Sequence, residues 1–143
     1  MQKRQLLLFR IGCWAAILTA VVHLFGHIAA PQTATNEIEE QILQSAASYQ
    51  FELPGGGRRA LMDLMNGFSL SFPVFLATLA ATGLMIAKRG DTMLIQAGAR
   101  VFAAGSVAIL VISLTHWFII PTIFIAFFTL CFVLASVPQP SET

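Results

Sequence analysis

Charged side chains are scarce in this chain: Asp, Glu, Lys and Arg together make up 10% of its 143 residues, where a soluble domain carries about a quarter. So few charges cannot cover a water-facing globular surface. The basic residues are dispersed and the formal net charge is +1, so no basic stripe is available for a phosphate backbone and a nucleic-acid partner is set aside. Cysteine is limited to Cys13 and Cys131. Both lie inside apolar runs, where a free thiol packs as a small hydrophobe, and spacing alone does not pair them. The chain has no C-x-x-C-H haem attachment motif, no G-x-x-x-x-G-K-[ST] phosphate loop and no G-x-S-x-G context around its serines. It also shows no internal repeat and no low-complexity segment.

What is abundant is hydrocarbon. Hydrophobic residues are 57% of the chain and the mean hydropathy is +0.77, so the solvent for most of it is lipid. We expect a single all-α integral membrane domain over residues 1–143, a membrane four-helix bundle with one amphipathic helix in an outer loop. The spans are placed at about 8–30, 68–87, 100–117 and 120–137, on the rule that about 20 apolar residues cross the hydrocarbon. The basic start Met1-Gln2-Lys3-Arg4 before an apolar run has the form of a signal peptide. Ile28 is bulky for the position two before the small end Ala29-Ala30, and Pro31 follows it, so we expect no cleavage there and a retained anchor.

The loop 31–66 separates the first two spans. Pro31 and the polar residues 32–36 end the first. Asn36 and Glu39 have capping-box spacing, and Ile38, Ile42, Leu43, Ala46 and Ala47 form one apolar face, which predicts a short amphipathic helix from Glu37 to about Tyr49. Pro54-Gly55-Gly56-Gly57 must be a turn or loop. Arg58 to Asn66 is helix-compatible, and Gly67 leads into the second span, which can bend at Pro73. Lys88-Arg89-Gly90-Asp91 is a charged turn, and 92–99 suits the interface before Arg100. From Val101 to Val137 there is no fixed charge. As one helix this stretch would be about 55 Å long, nearly twice the hydrocarbon thickness, so it must fold back, with the hairpin between His116 and Pro121. The tail 138–143 is polar and expected to be loose.

Basic residues near the span ends set the orientation. Lys3, Arg4, Arg10, Lys88, Arg89 and Arg100 fall on one side, Arg58 and Arg59 on the other, which places both termini in the cytoplasm and the 31–66 loop outside.

Helical periodicity suggests an inward face for each span. Gly12, Ala16, Ala20, His23 and His27 share one face of the first, and their small side chains permit close helix contact. The matching stripes are Ser71, Thr78 and Thr82 on the second span, Gly98, Gly105, Ile112 and His116 on the third, and Thr122, Thr129 and Ser136 on the fourth. His23, His27 and His116 then fall in one outer layer. Histidines at i and i+4 can bind one metal ion, and a third from another helix would complete a His₃ set with an open position. Two imidazoles on different helices could instead ligate a haem, and Glu37, Glu39, Glu40 or Glu52 could hold a ring from behind. A histidine near an interface also serves simply as an amphipathic residue bonded to backbone, water or headgroups, and this reading stays open beside metal, haem, quinone and acid-base roles. Pro54 to Arg59 has the glycines and arginines of a phosphate cradle, but no strand precedes a matching motif, and a re-entry loop near lipid headgroups is the simpler reading.

His23-Leu24-Phe25-Gly26-His27, the glycine-bearing stretch Phe51 to Arg59, and Asp63 through Gly67-Phe68-Ser69 resemble a group of uncharacterised bacterial four-helix membrane proteins. The resemblance covers about the first half of the chain and implies four spans and a bacterial inner-membrane location, without an activity. Three function classes are therefore expected to compete. The leading one is an accessory or interaction subunit of a larger membrane assembly, in contact with the lipid bilayer and other membrane proteins. The rival is a metal- or haem-dependent enzyme acting on a lipid or quinone through His23, His27 and His116. A transporter or channel subunit is disfavoured by the few intramembrane charges.

Overall fold

The computed structural model describes residues 3–29, 33–117 and 119–137. The sequence expectations about Pro31 and about the tail 138–143 lie outside these residues. The elements are α1 (Lys3–Ala29), α2 (Glu37–Ser48), β1 (Gln50–Leu53), β2 (Gly57–Ala60), α3 (Leu61–Arg89), α4 (Thr92–His116) and α5 (Ile119–Ser136). Helices α1, α3, α4 and α5 are each long and apolar enough to cross a membrane. The chain is a multi-pass membrane protein built as an all-α four-helix bundle.

α1 is the hub. It packs broadly on α3 and α5, and α5 packs on α4, while α3 meets α4 only sparsely and α1 touches α4 little. Close approach at the centre depends on small residues. A Cβ on Gly83 would stand 2.6 Å from Cys13 Sγ and 3.2 Å from the Phe102 ring, and one on Gly12 would stand 2.7 Å from the Phe132 ring. Around these glycines Phe9, Phe102, Phe128 and Phe132 interlock, with Phe9 edge-on to Phe102 at 5.6 Å. Phe9, Phe128 and Phe132 are fully buried. Cys13 and Cys131 are free and buried in this core.

Polar groups inside the bundle are used as ties between helices. The Gln5 amide donates to Val137 O at 2.6 Å, and Arg10 donates to Ala87 O near the end of α3 at 3.2 Å. Ser113 and Thr122 share a hydroxyl bond of 2.6 Å across the α4–α5 hairpin, and Thr129 donates to Ser106 O at 3.2 Å. In hydrocarbon each such group must find a protein partner, and among the described residues no buried side-chain nitrogen or oxygen lacks one.

Three local features depart from the sequence expectation. First, the segment after α2 is a β-hairpin, with Phe51 opposite Arg59 and Glu52 opposite Arg58. Its loop Pro54-Gly55-Gly56 needs positive φ at Gly55 (98°) and Gly56 (86°), which only glycine takes without strain. Arg58 bonds Glu52 across the strands at 2.6 Å. Second, α3 is one 29-residue helix starting at Leu61 and running through Gly67 and a buried Pro73. At about 43 Å it exceeds a hydrocarbon core of about 30 Å, so it has turns to spare beyond the membrane. Third, Asn36 caps α2, but the reciprocal bond of the capping box goes to Thr35. Asn36 accepts from Glu39 N–H as expected, but the Glu39 carboxylate reaches past Asn36 to Thr35 N–H and Oγ1.

The turn between α3 and α4 fits its residues closely. Gly90 ends α3 in the left-handed conformation (φ 75°). Asp91 then caps α4, its carboxylate accepting from Met93 and Leu94 N–H.

Candidate functional site

The predicted stripe of α1 faces inward. Gly12, Ala16 and Ala20 are buried, and His23 and His27 are half-buried one turn apart at the end of the helix. Both rings converge on one residue of α3. His23 Nε2 lies 3.1 Å from Ser69 O and 3.2 Å from Ser69 Oγ, and Ser69 Oγ lies 3.2 Å from His27 Nδ1.

The Ser69 carbonyl fixes the direction at one end of this chain. A carbonyl oxygen only accepts, so His23 carries its hydrogen on Nε2 and shares it between Ser69 O and Oγ. Ser69 Oγ and His27 Nδ1 share the next hydrogen bond, whose donor is set by the His27 tautomer. The result is a hydrogen-bonded relay, His23 to Ser69 to His27, which ties α1 to α3 at the end of the bundle that carries α2 and the hairpin. We call this the cap end.

One turn along α3, Phe72 stands edge-on to His23 at 5.3 Å and edge-on to Trp117 at 5.3 Å. His116 ends α4 beside Trp117, but it is exposed and its Nδ1 is bonded to Thr115 Oγ1 at 2.6 Å. The three histidines therefore sit at the same end of the bundle, while only His23 and His27 meet. Among the described residues no three His, Cys, Asp or Glu side chains are grouped to hold a metal ion. The ring nitrogens that do converge are occupied by Ser69. Three of the four glutamates expected to support a ring are engaged elsewhere: Glu39 with Thr35, Glu40 with Gln44 and Glu52 with Arg58. Hydrogen bonds from the Thr35 side chain and backbone hold the Glu39 carboxyl below its ordinary pKa.

Ser69 and Phe72 join the site without having been singled out as partners of the histidines. Their signal in the sequence was the series Ser69, Phe72, Leu76, Ala80, Gly83, Ala87, spaced three or four apart, which is the face α3 turns to the protein. The expected stripe of α3 points the other way. Ser71, Thr78 and Thr82 are exposed on the side opposite the core, and each hydroxyl donates to a carbonyl of its own helix, Gly67 O, Val74 O and Thr78 O. On α4 the expected stripe is also displaced: Gly105, Ile112 and His116 are exposed, and the buried positions are Ile95, Ala99, Ala103, Ser106 and Ser113. On α5 the stripe faces the protein, with Thr129 buried and Thr122 and Ser136 half-buried.

Where α3 and α4 part, a cleft of about 80 Å³ opens, lined by Leu76, Leu79, Phe102, Gly105, Ile109 and Phe128 among others. Its one hydroxyl, Ser106 Oγ, donates to Ala103 O. The cleft is hydrocarbon-lined and asks for no polar ligand.

Compared with protein-family models, characterised proteins and solved structures, this chain shows no significant match.

Proposed function

We propose that this protein is an accessory subunit of a larger membrane assembly, and that it docks a partner helix along the exposed face of α3. The observation that carries the reading is the row Gly67, Ser71, Thr78 and Thr82, which lies opposite the core. Lipid gives no reason to place small and hydroxyl residues there, since it is served equally well by Leu and Phe. A second transmembrane helix does, because small side chains let two backbones approach closely. The hydroxyls are already satisfied within α3, so the face stays stable in lipid until a partner arrives. The tight interior supports the same reading, with a small apolar cleft where α3 and α4 part. In a bacterial inner membrane, with both termini cytoplasmic as the basic residues direct, the cap of α2 and the hairpin would lie on the outer side. The test is purification in mild detergent. The native chain should bring down a defined membrane partner, and Thr78→Phe should lose it while keeping its own thermal transition. No partner with the native chain would defeat the proposal.

A second reading is favoured by the His23–Ser69–His27 relay: an enzyme acting on a lipid or quinone at the cap end, with a metal ion or haem as its cofactor. Under it, His23 and His27 would exchange Ser69 for the ligand, and His116 would join by a shift of the Trp117 segment. An absorption spectrum and elemental analysis of the native chain against a His23→Ala, His27→Ala, His116→Ala variant test this reading. Colourless, metal-free native protein would remove it.

A further inference from the structure

We infer that the cap formed by α2 and the hairpin lies on the phospholipid surface, with an apolar and aromatic face set among the headgroups and Arg59 as its phosphate ligand. In a β-strand alternate residues share a face. The register puts Phe51 and Arg59 opposite each other on one side of the hairpin, joined by Leu53, and puts Glu52 and Arg58 together on the other. The two sides differ in charge as well as in hydropathy. Arg58 is neutralised by Glu52 at 2.6 Å, whereas Arg59 is exposed and forms no ion pair among the described residues. One face is thus internally neutral, and the other pairs an aromatic ring with an uncompensated guanidinium.

That second face continues onto α2. Tyr49 meets Phe51 edge-on at 4.9 Å and lines a shallow trough with Ile38, Ile42 and Leu61. Ile38 is 71% exposed, Ile42 61% and Tyr49 59%. Such a run of isoleucines and aromatics is unfavourable in water. On the helical wheel Glu40 falls opposite Ile38, while Glu39 is turned back to Thr35. Glu39 and Glu40 are therefore kept off the apolar side.

The position suits the occupant. Leu61 N–H donates to Tyr49 O at 3.0 Å, which fixes the cap to the first turn of α3, where that helix emerges from the hydrocarbon. Met65 and Phe68, 56% and 78% exposed on the next turns of α3, extend the apolar surface down into the bilayer. Aromatic and isoleucine side chains at headgroup depth, with an arginine able to bind phosphate in two-point fashion, are what an interfacial segment requires. A partner protein would need this face to be dry and separate from the membrane, and its continuity with Phe68 argues for lipid.

The experiment uses the full chain in vesicles of phosphatidylcholine with phosphatidylglycerol, part of the phosphatidylcholine carrying brominated acyl chains. In a Trp14→Phe, Trp117→Phe background, single tryptophans report from the cap as Ile42→Trp and Tyr49→Trp on the apolar face and Glu40→Trp on the opposite face. Ile42→Trp and Tyr49→Trp should show blue-shifted emission quenched by the bromines, and Glu40→Trp should stay red-shifted and unquenched. Adding Arg59→Glu should weaken the quenching of both reporters. Water-like, unquenched emission from both face reporters would overturn the inference. So would emission that is water-like in the vesicles and blue-shifted only in native membranes, which would assign the face to a protein partner. A cap that had unfolded would make all three reporters alike, and the two face positions would then be read by hydrogen exchange of Phe51 and Arg59 amides in the unsubstituted chain. Slowing on transfer from detergent to vesicles supports the inference, and unchanged exchange overturns it.

Discussion

Gly83→Ala should destabilise the bundle by driving α3 away from α1, and a substitution elsewhere should reverse the damage. The added methyl would stand 2.6 Å from Cys13 Sγ, 3.2 Å from Phe102 and 3.4 Å from Phe9. The first distance is about an ångström short of ordinary contact, and neither Cys13 nor Phe9 has free space, both being fully buried. Overpacking of this kind costs about 1–3 kcal/mol, set against up to about 1 kcal/mol gained by replacing Gly with Ala inside a helix. With the full helix gain counted, the expected net loss is about 0–2 kcal/mol on those two figures, and Gly83→Ala falls about 1–3 kcal/mol below a substitution that makes only the helix gain. In the double variant with Cys13→Ala, the new methyl takes the room of the deleted sulfur, and most of that loss should return. Gly105→Ala is the control: nothing lies within 4 Å of its added Cβ, so the helix gain stands alone and stability should hold or rise. Unfolding in mixed micelles by added sodium dodecyl sulfate, followed by circular dichroism, measures all four proteins. Gly83→Ala matching Gly105→Ala in stability, or failing to be rescued by Cys13→Ala, would refute the packing of α1 on α3.

Other outcomes follow from particular bonds. Asp91→Ala removes the carboxylate that accepts from Met93 and Leu94 and should cost about 1 kcal/mol in the same titration, with Asp91→Asn close to native. Ser69→Ala should cut the link between His23 and His27, changing the ring-nitrogen NMR shifts of both histidines while leaving those of His116 in place. Acidification should loosen α2. The Glu39 pKa is lowered in the folded chain, so its stabilising bonds to Thr35 are complete above the ordinary glutamate value and vanish as pH falls through the folded one. Amide exchange at the start of α2 should accelerate over that acidic range, and Glu39→Gln should remove the pH dependence.

Span count, the charged α3–α4 turn and the α4–α5 hairpin were legible because hydrocarbon thickness and charge distribution decide them, and both are written in composition. Facing was legible only in part. In water, polarity separates outside from inside, but between helix and lipid both sides are apolar, and the remaining contrast is small against large. Small residues mark any close helix contact, whether inside one chain or between chains. The stripes of α1 and α5 are the internal contacts, whereas Ser71, Thr78 and Thr82 of α3 face outward because each hydroxyl satisfies itself on the preceding turn. The hairpin was hidden because four-residue strands around Pro54-Gly55-Gly56-Gly57 carry too short a pattern to separate from loop. In the site, the spacing of His23 and His27 revealed that they share a face. That Ser69 lies between them depends on how α1 and α3 are aligned along their axes, which the repeat of a single helix does not record. The place of His116 depended on the order of helices around the bundle, and α4 neighbours α5 rather than α1.

The docking role of α3 is tested most directly by a photo-crosslinking residue in place of Thr78, activated in intact native membranes, with the same residue in place of Leu130 on the exposed side of α5 as reference. A docking role predicts one discrete protein adduct from position 78 and lipid adducts alone from position 130. Lipid adducts alone from both positions would contradict it.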